Sequence, residues 1–330
     1  MTDAFMFAAN AVLPIVITIS FGYFLKRRGL FTKEFLDAGN KLTFRALLPA
    51  MLFYNVYGIN SLGDIEPIFV LYCLGAILAV FIIAVGVTCL YTKDNAKRGA
   101  LIQAAFRSNY AIIGLPLASA LFGSAGEAAA GALSAFCIPL FNLLAVVTLT
   151  LFNGGSGQKK LDLKKLFMDI LKNPLILATL SGLAVVGVRG LFVRFGIGFR
   201  LSNITFLYRA LESIKSICTP FALLVLGGRF EFSAVARLWK PILFGTVIRT
   251  VIVPGLALSA AYFLIPRLSG EHYASYIAVF ATPCAVSGAI MAKEMGADEE
   301  LAGQLVVWTS LVSTVTIFLC TAIFRAAGVF

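Results

Sequence analysis

The side chains in this sequence that could do chemistry are amides, hydroxyls and arginines set beside helix breakers. Ser108, Asn109 and Tyr110 stand just before Gly114 and Pro116, and Thr282 and Pro283 stand just before Ser287 and Gly288. A proline inside a helix removes one backbone hydrogen bond and clashes with the carbonyl four residues back. The half-helix after such a break directs unpaired N–H groups and the positive end of its dipole at one point, which suits an anion. An asparagine amide there adds a side-chain donor. The chemistry on offer is therefore non-covalent capture of a negatively charged solute. For Asn109 the competing reading is a plain helix cap, a role asparagine favours anyway. Pro283 has no side-chain donor and serves to break its helix. Thr282 and Ser287 then supply hydroxyls either to a solute or only to the kinked backbone. Gly114 and Gly288 let backbone approach closely.

Arg249 lies in an apolar run five residues before Pro254, and an arginine at the centre of a membrane span costs about 2.5 to 3.5 kcal/mol on insertion scales. It reads as a counter-charge, for an anion or for carbonyls freed at the breaks, or else as a side chain reaching for an interface. Arg107 is open to the same readings. Asn142, Asn55 and Gln103 either line a cavity or hydrogen-bond between helices. Glu212 and Lys215 share a helix face, as a local ion pair or a proton-linked one. His272, the sole histidine, falls in an expected loop and reads as solvated, as does the charged turn of Lys293, Glu294, Asp298, Glu299 and Glu300. With one histidine, no clustered carboxylates and no Gly-rich phosphate loop, no catalytic constellation assembles. The expectation is a non-enzyme without metal or cofactor. The six cysteines fall in apolar segments without metal-type spacing and read as small buried hydrophobes.

The elements that must position these residues are membrane helices. With 60% hydrophobic and 13% charged residues in 330, and a mean hydropathy of +0.93, the chain exceeds what a water-soluble core could hide. Ten apolar stretches recur, at 5–25, 40–58, 66–91, 99–122, 127–152, 174–193, 204–227, 238–265, 273–292 and 301–326. A hydrocarbon core of about 30 Å needs about 20 residues per crossing. Lys26, Arg27 and Arg28 follow the first stretch and no basic residue precedes it, the reverse of a cleaved signal peptide. Starting with the N-terminus outside, seventeen of the 27 Lys and Arg fall in cytoplasmic loops and six on the opposite face, so both termini are expected outside. Basic residues spread over short loops have a topological meaning, and the net charge of +11 does not point to nucleic acid.

The longest polar interruption, Asn153 to Lys172, divides five stretches from five. The expected organisation is a first repeat over 1–152, a linker over 153–172 and a second repeat over 173–330. An odd number of crossings per half makes the halves opposite in orientation. Leu48-Pro49 answers Thr219-Pro220, and FRSNYAIIGLPLASALFG answers FATPCAVSGAIMAKEMG. The expected fold is thus all-α, ten transmembrane helices in two inverted five-helix repeats, with broken helices 4 and 9 crossing near the bilayer midplane.

The segments LTFRALLPAMLFYNV, RSNYAIIGLPLASALFG, LKNPLILATLSGL, TPFALLVLGG and ATPCAVSGAIMAKEMGADEELA are each similar, in order, to the auxin efflux carrier family. The resemblance covers nearly the whole chain. It implies a fold akin to bile-acid and sodium-proton transporters, a site at the helix 4 and 9 crossover, and a small organic anion as cargo. It also implies alternating access in which helices 3 to 5 and 8 to 10 carry the site past a scaffold of helices 1, 2, 6 and 7, in the manner of an elevator. A homodimer in a bacterial inner membrane follows from the same resemblance. The long central hydrophilic loop of plant members is missing, so the chain looks like the compact bacterial type, with carboxylates such as malate or malonate as expected substrates beside auxin-like acids. The residues expected to hold the anion are Asn109, Tyr110, Ser108, Gly114, Pro116, Thr282, Pro283, Ser287, Gly288, Arg249, Asn142 and Asn55. Competing classes are a membrane sensor on a transporter fold and a cation-proton exchanger. The latter normally needs mid-membrane acids, and only Glu212 approaches that position.

Overall fold

A computed structural model describes residues 2–57, 66–153, 168, 172–196, 198–265 and 268–329, with side chains from Leu13 onward. The regular secondary structure of these residues is helical, apart from one isolated bridge between two unwound segments. The linker expected at 153–172 lies mostly outside the described residues.

The helices are α1 (Thr2–Arg27), α2 (Lys33–Leu42), α3 (Leu48–Tyr57), α4 (Pro67–Tyr91), α5 (Asn95–Phe106), α6 (Leu115–Leu151) and α7 (Pro174–Arg194). They continue with α8 (Thr205–Arg229), α9 (Phe232–Val247), α10 (Val253–Leu264), α11 (Gly270–Phe280), α12 (Val286–Glu294) and α13 (Glu299–Ala326). Polar side chains start several of them by accepting from free N–H groups: Thr32 for α2, Asp94 for α5, Asn173 for α7 and Asp298 for α13. Among the described residues, six helical stretches are long and apolar enough to cross a bilayer: Pro67–Tyr91, Tyr110–Leu151, Pro174–Arg194, Thr205–Arg229, Phe232–Leu264 and Glu299–Ala326. The stretch Tyr110–Leu151 spans two of the expected crossings. They part at Gly123, whose φ of 56° belongs to the left-handed region that glycine enters freely. The stretches expected at 99–122 and 273–292 are split by breaks, so their pieces α5, α11 and α12 are short.

Three turns widen to i→i+5 hydrogen bonding: Thr43–Leu47, Tyr110–Gly114 and Ile248–Ile252. Each ends two residues before a proline, at Pro49, Pro116 and Pro254. The proline ring displaces the carbonyl four residues back, and a locally widened turn absorbs the misfit. For Pro254 that carbonyl belongs to Thr250, and the Thr316 hydroxyl of α13 donates to it at 2.9 Å.

Helices approach closely where small residues allow it. Along the α1–α8 seam, a Cβ on Gly22 would stand 2.3 Å from the Leu224 carbonyl oxygen, and one on Gly227 would stand 1.9 Å from that of Ile19. Large apolar side chains such as Leu90, Phe206 and Phe263 point outward, as a lipid-facing surface requires. His272 is corrected by the structure: it lies in the first turn of α11, its ring 4.3 Å from that of Phe69 and its Nδ1 2.7 Å from the Ser269 hydroxyl.

Candidate functional site

The two breaks meet. The chain unwinds after α5 at Arg107 to Asn109 and after α11 at Ala281 to Ala285, and the unwound segments pair antiparallel at Ser108 and Cys284. The Asn109 N–H donates to the Pro283 carbonyl at 2.8 Å, and the Ala285 N–H donates to the Arg107 carbonyl at 3.1 Å. Two broken helices thus satisfy part of each other's backbone inside an apolar interior.

Arg249 satisfies most of what remains. Val279 has lost its helical partner, because the residue four along is Pro283, which has no N–H. Ala105 has lost its own, because the Asn109 N–H has gone to Pro283. The Arg249 Nη2 donates to Val279 at 2.9 Å, Nη1 to Ala105 at 3.1 Å, and Nε and Nη2 to Thr282 at 2.9 and 2.7 Å. Its side chain is fully buried. A cation seated among carbonyls at two helix C-termini also meets the negative ends of both dipoles.

On the far side of the breaks lies a cavity of about 50 Å³, walled by α3 and α8 opposite the unwound segments. Asn55, Ser108, Asn109, Tyr110, Asn142 and Ser287 line it, together with Arg107, Thr219 and apolar residues including Met51, Ile138 and Phe141. Both half-helix starts face it, through Tyr110 and Ala111 on one side and Val286 and Ser287 on the other. Asn109 makes no side-chain capping bond. Its Nδ2, the Asn142 Nδ2 and the Ser108 Oγ are buried without a hydrogen-bond partner. An unpaired buried donor costs about 1 to 3 kcal/mol, so three around one cavity mark a place built for an acceptor-rich guest. The lining includes no Asp or Glu.

A family model described as membrane transport protein matches residues 7–165 and 160–321. The chain belongs to that family. It is an auxin efflux carrier family transporter, similar to an uncharacterized transporter of Methanothermobacter thermautotrophicus (21% identical over 319 residues, 95% of this chain and 97% of the relative). It is also similar to an uncharacterized transporter of Methanocaldococcus jannaschii, 26% identical over 231 residues, 67% of this chain and 68% of that one.

In this auxin efflux carrier family member, six of the twelve residues expected at the site line the cavity and six do not. Gly114 packs against the Ala278 carbonyl, and Pro116 is exposed on the outer side of its helix. The Thr282 hydroxyl donates to Ala278 at 2.7 Å, and Thr282 and Pro283 supply carbonyls to Arg249 and Asn109. Gly288 borders a narrow gap beside Gln103, and Arg249 lies behind the breaks. Tyr110 lines the cavity, but its hydroxyl donates to the Ala130 carbonyl at 2.8 Å. Thr219 escaped the sequence reading as a lining residue, although its place beside Pro220 opposite Leu48-Pro49 was the available signal. Glu212 accepts from the Tyr54 hydroxyl at 3.3 Å while Lys215 lies over the same ring, and both stand clear of the cavity.

A second, wider cavity of about 630 Å³ opens between the ends of α1, α2 and α8 and the α12–α13 turn. Here the solvated reading of the charged turn is corrected. Arg229 forms ion pairs with Asp37 and Glu299, Arg237 with Glu300, and Lys293 with Glu299 at 2.9 Å. The Asn40 amide donates to Glu294 at 2.8 Å. The Arg229 guanidinium holds the Asp37 carboxyl below its usual range, against the opposing effect of burial. Arg107 borders both the inner cavity and the gap at Gly288, and Ala289 borders both that gap and the wide cavity.

Proposed function

We propose that this transporter carries small organic anions, carboxylates such as malate or malonate or auxin-like acids, bound at the meeting of the two helix breaks. The observation that carries this reading is the 50 Å³ cavity, where unpaired amide and hydroxyl groups and two half-helix starts converge without an acid. A carboxylate brings only acceptors and a negative charge, which those groups and dipoles favour.

The cavity is smaller than ligand pockets of about 300 to 1,000 Å³, so the cargo binds when α3 and α8 draw back from the breaks. The wide cavity falls within that range and would serve as the mouth on the cytoplasmic side. Alternating access follows: α4 to α6 with α9 to α13 carry the site past α1 to α3, α7 and α8, as an elevator of two inverted repeats. Export suits the energetics. Moving one negative charge outward across about 100 mV, inside negative, is worth about 2.3 kcal/mol, roughly a fifty-fold gradient. A homodimer in the bacterial inner membrane with both termini outside completes the reading.

Reconstitution in liposomes under an imposed potential, with labelled mono- and dicarboxylates, tests it. Wild type should move at least one of them and Asn109→Ala should lose most of that flux. Absence of carboxylate flux and of ligand-stabilised melting would overturn the substrate class, and normal flux through Asn109→Ala would overturn the site.

A further inference from the structure

We infer that Arg107 is a positioning residue that locks the Asn142 amide with its N–H group outward, so that this corner of the site offers a donor that cannot turn into an acceptor and favours an ionised carboxylate over a neutral amide of the same shape. The inference rests on the functional reading above and deepens it.

Arg107 is 5% exposed, and Gln103 and Asn142 are 3% and 1% exposed. Its Nη2 donates to the Asn142 Oδ1 at 2.7 Å and its Nη1 to the Gln103 Oε1 at 3.3 Å, with the Met291 sulfur beside it. A guanidinium has five N–H groups and no acceptor. An amide facing it must therefore turn its oxygen inward, and the NH2 group of each is left pointing elsewhere. Both of those groups, the Asn142 Nδ2 and the Gln103 Nε2, are buried without a partner. An asparagine free to flip would serve an acceptor or a donor equally, and so would not separate a carboxylate from a carboxamide. With the flip denied, a carboxamide whose NH2 group turns toward Asn142 meets a donor and finds no acceptor there, whereas a carboxylate presents an acceptor in either orientation. No carboxylate pairs with Arg107 among the described residues, so its charge also favours an anionic guest over a neutral one.

The test uses the full chain in lipid nanodiscs and measures binding of acetate, malonate and indole-3-acetate, each against its primary amide. Wild type should prefer the carboxylate by more than tenfold for whichever pair it binds. Arg107→Lys, which keeps a donor-only head group, should retain most of that preference. Arg107→Gln, which can accept as well as donate, should bring the ratio near one. If Arg107→Gln weakens both members of a pair equally, Arg107 is only a packing element and the inference falls. Asn142→Asp provides a variant that Arg107 itself pairs with: it should fold and lose carboxylate binding, and retained carboxylate binding there would also refute the inference. If wild type binds none of the three carboxylates, the functional reading fails first and takes the inference with it.

Discussion

Replacing Arg249 with methionine removes the cation while keeping much of its volume. Three carbonyls, those of Ala105, Val279 and Thr282, then lose their donor. At about 1 to 3 kcal/mol for each unsatisfied buried group, the loss sums to about 3 to 9 kcal/mol. Removing the buried guanidinium returns about 2.5 to 3.5 kcal/mol. The net destabilisation centres on about 3 kcal/mol, more than a hundredfold in the folded-to-unfolded ratio. Arg249→Lys keeps the charge but cannot span three carbonyls, and should fall between wild type and Arg249→Met. Reversible unfolding of purified protein in mixed micelles, followed by tryptophan fluorescence, measures all three. Wild-type stability in Arg249→Met would show that the carbonyls find other donors, and the account of how the breaks are held together would be wrong.

Gly114→Ala places a Cβ 2.9 Å from the Ala278 carbonyl oxygen and 2.6 Å from the Tyr110 ring. It should cost about 1 to 3 kcal/mol, whereas Gly288→Ala, whose nearest neighbour is the Gln103 oxygen at 3.6 Å, should melt as wild type does. Gly227→Ala, at 1.9 Å from the Ile19 carbonyl, should prise α1 from α8 and lower the yield of folded protein on size-exclusion chromatography. The Asp37 carboxyl is held below its usual range by Arg229. Its stabilising contribution is therefore complete above the unfolded value of about 3.9 and is lost as pH falls through the lower folded value. The melting-temperature gap between wild type and Asp37→Asn should be constant from pH 7 to pH 5 and close only in stronger acid.

The breaks were legible because proline and asparagine act locally: Pro283 has no N–H to give, wherever the rest of the chain lies. Arg107 and Gln103 were legible as neighbours one turn apart, but Asn142 joins them only through packing. The partners of Arg249 could not be read, since Ala105 is 144 positions away and a bare carbonyl leaves no mark in a sequence. The ion pairing of the charged turn is hidden for the same reason, because Lys293 in it pairs at 3.6 Å with Asp37, more than 250 positions earlier. The loop expected around His272 gives way to helix because Ser269 and Glu271 flank a helix that begins at Gly270. Pro49, Pro116 and Pro254 disturb their helices by their own chemistry, but whether a widened turn absorbs the misfit depends on how neighbouring helices tolerate the displaced carbonyls.

The paired backbone between Asn109 and Pro283 has a mechanical consequence. Sliding one broken helix without the other would rupture both inter-segment bonds and strip Arg249 of its carbonyls, whereas α3 and α8 touch the same cavity through side chains. Shear in this molecule should run along that side-chain boundary. On the proposed elevator reading, the welded half would travel as a single block, delivering its guest to either face in the geometry in which it was received.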